Sequence, residues 1–208
     1  MQTDQQQPQH SLRYALRRAG REEVSFAAVP ASAHRVSMPD ADAKSRFVTA
    51  VLDAHCREGE ALELLGDDVA RLNRPARSRL QGRIGVLTPA VGLISNLNAW
   101  ENISLPAAYH GAPPIAGVVQ TAQEALAALG AEPRRFLARL PHELGTFERK
   151  LVAFVRLLVA RPELVVFDAL DEGLNRDECG RAACFAGEYR ARHPSGTLVL
   201  VDLSGDNP

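Results

Sequence analysis

A short apolar run, residues 164–167, ends abruptly in Asp168. A run of this kind, closed by a carboxylate, predicts a buried strand that delivers one acid to the edge of a sheet. Ahead of it, residues 148–160 carry Leu151, Val152, Phe154, Val155, Leu157, Leu158 and Val159. Apolar side chains nearly all round predict a buried helix, stopped at Pro162. Behind it, the pattern predicts a helix over 177–192 and a strand over 197–201. Strand, helix and strand at these lengths imply a right-handed parallel βαβ unit. Nearer the N-terminus, 24–29, 35–38, 60–65 and 83–87 are strand candidates, while Phe47, Val48, Val51 and Leu52 recur at helical spacing within 44–55. The basic stretch 73–79 reads as a solvated connector.

Between Pro89 and Gly145 the texture changes. Pro89, Pro106, Pro113, Pro114, Pro133 and Pro141 punctuate helical pieces such as 120–129, which ends at Gly130. This predicts an inserted helical lobe. The expected organisation is a disordered tail over 1–20, a core made of 21–88 and 149–208, and a helical subdomain over 89–148. There is no internal repeat.

Composition narrows the function classes. The chain has 208 residues, 46% of them hydrophobic, enough to bury a core. A formal net charge of -1 gives no reason to expect a nucleic-acid partner. No apolar run approaches the ~20 residues needed to span a bilayer, and the polar N-terminus has no secretory signal pattern. Cys56, Cys179 and Cys184 sit at no metal-ligand spacing and suggest a reducing compartment. The six histidines are scattered, which argues against a metalloenzyme.

Order and spacing supply the next step. The segments 83–86 (Arg-Ile-Gly-Val), Gly92-Leu93 and Trp100-Glu-Asn-Ile-Ser-Leu-Pro106, followed by the buried helix and the Asp168 strand, resemble the ATP-binding subunit of an ABC transporter over about 24–204. Among relatives, those energising lipid-trafficking permeases of Gram-negative envelopes look most similar. The resemblance implies an α/β fold of the P-loop (RecA-like) class: a mainly parallel sheet with flanking helices and an inserted helical subdomain. It also implies an integral membrane permease as partner and a location on the cytoplasmic, inner face of the plasma membrane. Pairing with itself or with another ABC ATPase follows from the same likeness.

Set against the family's motifs, the residues are altered almost throughout. A phosphate-binding loop needs glycines for backbone N–H groups to curl around phosphate, a Lys for charge and a Ser or Thr for magnesium. Here the matching segment is Met38-Pro-Asp-Ala-Asp-Ala-Lys-Ser-Arg46. Lys44 and Ser45 stand at the lysine and hydroxyl positions, but Met38, Ala41 and Ala43 stand where the family has glycine. Asp40 and Asp42 bring negative charge to the place of a polyphosphate, or else cap the following helix. One carboxylate–phosphate pair at ~4 Å repels by ~4 kcal/mol at an effective dielectric of ~20, against about 8 kcal/mol for a micromolar affinity. Pro89 replaces the Q-loop glutamine. Leu144-Gly-Thr-Phe-Glu148 replaces the Leu-Ser-Gly-Gly-Gln/Glu signature, with Phe147 expected to crowd a phosphate. Asp168 matches the magnesium carboxylate, but Ala169 replaces the glutamate that polarises water, Asn175 the D-loop aspartate and Leu203 the switch histidine.

The resemblance therefore implies Lys44, Ser45 and Asp168 as nucleotide contacts, with Ser45 and Asp168 also at magnesium. Leu144, Gly145 and Glu148 are signature-like, and no catalytic residue is assigned. Leu93 and Trp100 are the expected permease contacts, although the lobe's own core could claim them equally. Binding of ATP and Mg is expected to be weak or lost. Two readings stand beside each other: a nucleotide-binding-domain-like subunit impaired in hydrolysis, serving lipid or envelope transport, and a divergent but working ABC ATPase. A scaffold domain unconnected with transport is a weaker third.

Overall fold

The computed structural model describes residues 10–89, 92–110 and 114–204, with only the backbone described for Tyr109 and His110. The chain divides into two units. The first comprises residues 1–85, 163–166 and 195–208, and the second residues 86–162 and 167–194.

The first unit begins with alternation. In β1 (Leu12–Arg18), Leu12, Tyr14 and Leu16 are fully buried, while Arg13 and Arg17 face outward. Period-two alternation of this kind fixes one face of a strand on a core. β1 pairs antiparallel with β2 (Arg21–Ala28) on one side and with β4 (Glu60–Leu64) on the other. The tail expected over 1–20 is thus corrected: 12–18 is an inner strand of a four-stranded sheet ordered β2-β1-β4-β5, where β5 is Asp67–Asp68. Arg13, Arg17 and Arg18, set among and after its apolar positions, hide that strand from a composition-based reading.

β3 (Ala33–Met38) leads into α1 (Ala41–Asp53), whose Phe47, Val48 and Val51 are buried. The Phe47 ring lies 4.9 Å from Tyr14 and 5.3 Å from Phe26, both edge-on, the geometry aromatic rings prefer. Where a connector was expected, Asn73 caps α2 (Arg74–Gln81), whose first turn contains a proline. That proline suits a helix start, and only Leu80 is buried, so the polar pattern concealed the helix. At Gly59 a Cβ would come within 2.5 Å of the Arg17 carbonyl oxygen, so the turn into β4 admits no side chain.

A second sheet has the order β3-β8-β7-β6, where β6 is Ile84–Leu87, β7 Leu164–Asp168 and β8 Thr197–Leu203. β3 and β8 run parallel, Ala33 beside Leu198 through Met38 beside Leu203. Leu164 to Phe167 is buried without interruption, the signature of a strand covered on both faces.

The second unit is helical: α3 (Ala99–His110), α4 (Ile115–Ala128), α5 (Pro133–Leu137), α6 (Thr146–Ala160) and α7 (Arg176–Arg192). Its core is α6, with nine buried residues including Leu151, Phe154 and Leu158. Phe154 stacks on Phe185 of α7 at 4.3 Å and meets Phe167 edge-on at 6.0 Å. Asn102, fully buried in α3, accepts the Ile94 N–H at 2.8 Å and donates to the Leu97 oxygen at 2.9 Å, which fixes the preceding loop. α6 and α7 group with the helices of the lobe here, whereas the sequence pattern placed 149–208 with the core.

Because β1 pairs on both edges, deleting residues 1–18 should abolish the cooperative thermal transition of the full chain, followed by far-ultraviolet circular dichroism. A truncated chain that melts within about 2 °C of the intact one, less than a ~1 kcal/mol change produces, would show the strand to be dispensable.

Candidate functional site

In the first unit, the expected phosphate loop is a tight strand-to-helix turn. Met38 ends β3 fully buried, only Pro39 and Asp40 intervene, and Ala41 opens α1. Asp40 is the N-cap and accepts the Ala43 N–H at 2.7 Å. The capping alternative for Asp40 is therefore the observed one, and it occupies one of the N–H groups a helix start could offer an anion. An anion-binding nest alternates right- and left-handed residues. No residue from Met38 to Ser45 is among the described residues of positive φ. Ala41 and Ala43, which stand where the family has glycine, lie in ordinary helix and carry no positive-φ strain.

Arg18, at the end of β1, closes over this turn. Its guanidinium lies 3.0 Å from an Asp40 oxygen and 2.5 Å from an Asp42 oxygen, with Nε 3.1 Å from Glu23. The hydrogen bond from Arg18, and then that from the Ala43 N–H, hold the Asp40 carboxyl below its ordinary range. Lys44 is half-buried and Ser45 exposed on α1. Leu203, at the switch-histidine position, pairs in register with Met38, and the Ser204 N–H donates to the Met38 oxygen at 2.8 Å.

Asp168 is held in the second unit. The Thr88 hydroxyl, directly after β6, donates to Asp168 Oδ2 at 2.7 Å. Ala169 takes a left-handed conformation, φ 48°, which a β-carbon disfavours. What holds it there is Lys150 of α6, whose Nζ donates to the carbonyl oxygens of Ala169 and Leu170 at 2.8 and 2.9 Å. Burial lowers the Lys150 pKa, while Glu172, Asp171 and Asp168 act to raise it. Asp171 and Glu172 are exposed on the following turn, which Gly173 completes with φ 73°. Asn175 then caps α7, accepting the Glu178 N–H at 3.0 Å. Sequence reasoning missed Thr88 and Lys150. The available signals were the position of Thr88 at a strand end and the fact that Lys44 and Lys150 are the chain's only lysines.

The signature-like segment has turned inward. Leu144 is buried, and Gly145 is the N-cap of α6. Glu148 accepts the Gly145 N–H at 2.8 Å and pairs with Arg139 at 2.5 Å. Phe147, expected to crowd a phosphate, is packed inward. It is 2% exposed, its ring 6.0 Å from Phe185 and covered by the Arg181 guanidinium at 4.1 Å. A long side chain in the first turn of a helix packs where the core offers contacts, and here that is α7. Leu93 and Trp100 are both half-buried, and the neighbouring Ile94 is 41% exposed. Among the described residues, no group of three His, Cys, Asp or Glu is placed to hold a metal ion, and no helix is long and apolar enough to cross a membrane.

The Arg18–Asp40 contact has a definite pH signature. A carboxyl with a lowered folded-state pKa contributes stability that is complete above the ordinary carboxylate range and is lost as pH falls through the lowered value. The Ala43 amide resonance should therefore titrate with a midpoint below the ordinary ~3.9, and Arg18→Ala should raise that midpoint. A midpoint unmoved by Arg18→Ala would exclude the guanidinium as the cause.

No family model matches the chain. The uncharacterized ABC transporter ATP-binding protein YbbA of Escherichia coli (strain K12) is 29% identical over 141 residues, 67% of this chain and 60% of that protein. The lipoprotein-releasing system ATP-binding protein LolD of Alcanivorax borkumensis is 33% identical over 148 residues, 71% of this chain and 62% of that protein. The chain thus spans about three fifths of the length of these curated relatives. Among solved structures, cbiO1 of Clostridium perfringens, part of the ABC transporter complex cbiONQ, superposes with a TM-score of 0.73 at 15% identity, covering 94% of this chain and 79% of that one. A dimeric ATP-binding cassette in a post-hydrolysis state, bound to ADP and phosphate, gives 0.70 at 17% identity, covering 94% and 87%. By sequence and by fold, the chain is a relative of the ATP-binding proteins of ABC transporters and has their α/β P-loop fold.

Proposed function

We propose that the chain serves a membrane transporter as a cassette subunit whose own loop is closed to the nucleotide phosphates, so that it does not turn over ATP by itself. The observation that carries this reading is the Met38–Ser45 turn. Asp40 caps the helix from within, Asp42 adds a second carboxylate, and the single Arg18 guanidinium bridges both while also pairing with Glu23, so the turn stays net negative. A polyphosphate would have to displace the cap and then meet two carboxylates left without their partner. Nothing in the turn offers the left-handed residues of a phosphate nest. In support, Ala169 has no group to orient or deprotonate a water, a task for which positioning and electrostatics supply nearly all the catalysis. The residues therefore do not fit ATP and Mg as a hydrolytic pair.

The partner in this reading is an integral membrane permease at the inner face of the plasma membrane, with Leu93, Ile94 and Trp100 at the contact and lipid or envelope transport as the process. A head-to-tail pair, with itself or with an ABC ATPase, belongs to the same proposal. The retention of Lys44, Ser45 and Asp168 favours a second reading, a divergent but working ATPase.

Two measurements separate them. Calorimetry with Mg-ATP should give an affinity weaker than millimolar, and the purified chain should show no steady hydrolysis. Hydrolysis that Asp168→Asn abolishes would establish the working ATPase instead. Restoring glycine at Ala41 and Ala43 should bring no gain in affinity. It should lower stability by up to about 1 kcal/mol per site, the cost of glycine in helix. Tighter nucleotide binding in that double variant would mean that the turn can still reopen.

A further inference from the structure

Within the second unit lies a cavity of about 350 Å³ whose wall includes Pro89, Thr146 and Asp168 from the motif positions, together with apolar side chains and α6 cations that belong to no motif. Leu87, Leu93, Ala153 and Leu170 line it, together with Arg149 and Lys150 of α6. The lining is mainly apolar. A concave, largely apolar space of this size with a few converging polar groups is the ordinary form of a small-molecule site.

The polar groups decide the chemistry of the occupant. The Asp168 carboxylate already accepts the Thr88 hydroxyl at 2.7 Å. Two donors of Lys150 are directed to the Ala169 and Leu170 carbonyls, and its charge faces Glu172, Asp171 and Asp168. Arg149 differs: it is exposed, and its guanidinium makes no hydrogen bond or ion pair among the described residues. The cation left over beside the apolar walls is thus a planar fork suited to a carboxylate or a similar oxyanion.

We infer that this cavity binds a small organic acid, with an apolar body against Leu87, Leu93, Ala153 and Leu170 and its acidic group on Arg149. The cavity shares no residue with the Met38–Ser45 turn, so binding there does not depend on whether that turn admits nucleotide. A carboxylic acid and an alkyl phosphate share the chemistry the site recognises.

The test is a nitrogen-15 and methyl-resonance titration of the full chain with sodium octanoate, and in parallel with octyl phosphate, 1-octanol and octylammonium. Octanoate should saturate with a dissociation constant of about 1 mM, the order expected for some ten non-hydrogen atoms, and should shift the methyls of Leu87, Leu93 and Leu170. Arg149→Ala, an exposed substitution that leaves folding untouched, should weaken binding about tenfold, the usual worth of a charge-assisted hydrogen bond. Ala153→Leu should fill the cavity and remove binding. Tighter binding of octyl phosphate than octanoate would assign the headgroup to the phosphate class, and the reverse to the carboxylate class. Absence of saturation, equal binding of octylammonium, or binding unchanged in Arg149→Ala would overturn the inference.

Discussion

Burial of α6 is the constraint from which the second unit follows. Its nine buried side chains leave little choice about how the helix rotates. A fully buried Leu or Phe here would cost about 2–5 kcal/mol on truncation, so the orientation is held by many large terms at once. Everything polar on α6 is positioned as a by-product. Glu148 is turned back on the helix start, where a negative charge suits the positive end of the dipole. Lys150 is delivered to the two carbonyls after β7, and Arg149 and Ala153 to the cavity wall. The left-handed Ala169 survives because an ammonium group bonds its carbonyl from a helix that cannot turn away.

That dependence explains which parts were legible in the sequence. β7, α6 and β8 announce themselves because their apolar patterns are dense and ends are marked by Asp168 and Pro162, whereas α7 buries only Ala182, Phe185 and Tyr189. β1 was lost among arginines: Leu12, Tyr14 and Leu16 alternate cleanly, but the polar residues before them dominate the composition. α2 failed in the opposite sense, since a helix that buries only Leu80 has almost no apolar stripe to read. The family likeness recovered the fold because it rests on the order of elements, which such local silences do not disturb.

The site was legible only where it is local. Asp40 as a helix cap is a three-residue event, readable from a polar residue ahead of a periodic segment. Arg18, 22 residues upstream of Asp40, is invisible until the hairpin brings it over the turn. The Thr88–Asp168 bond spans 80 residues and Lys150–Ala169 spans 19, so neither has a motif. Phe147 shows the converse error. Its side chain was judged by the alignment position, whereas packing against Phe185 and Arg181 decides where it goes.

Under the proposed reading, these internal contacts let the fold persist without phosphate chemistry. A nucleotide-binding turn is a collection of donors and charges awaiting a partner, and a buried or crowded group left without one destabilises the fold. Here Asp40 takes the helix N–H, Arg18 takes the two carboxylates, Thr88 takes Asp168, and Lys150 takes the carbonyls of the turn beyond it. Each exposed pair is worth little, since exposed ion pairs contribute only about 0–1 kcal/mol. Under the proposed reading, their effect lies less in stability than in removing the demand for a ligand. A cassette whose own side chains answer one another can hold its shape without nucleotide, and under the proposed reading that independence is what its role in a transporter uses.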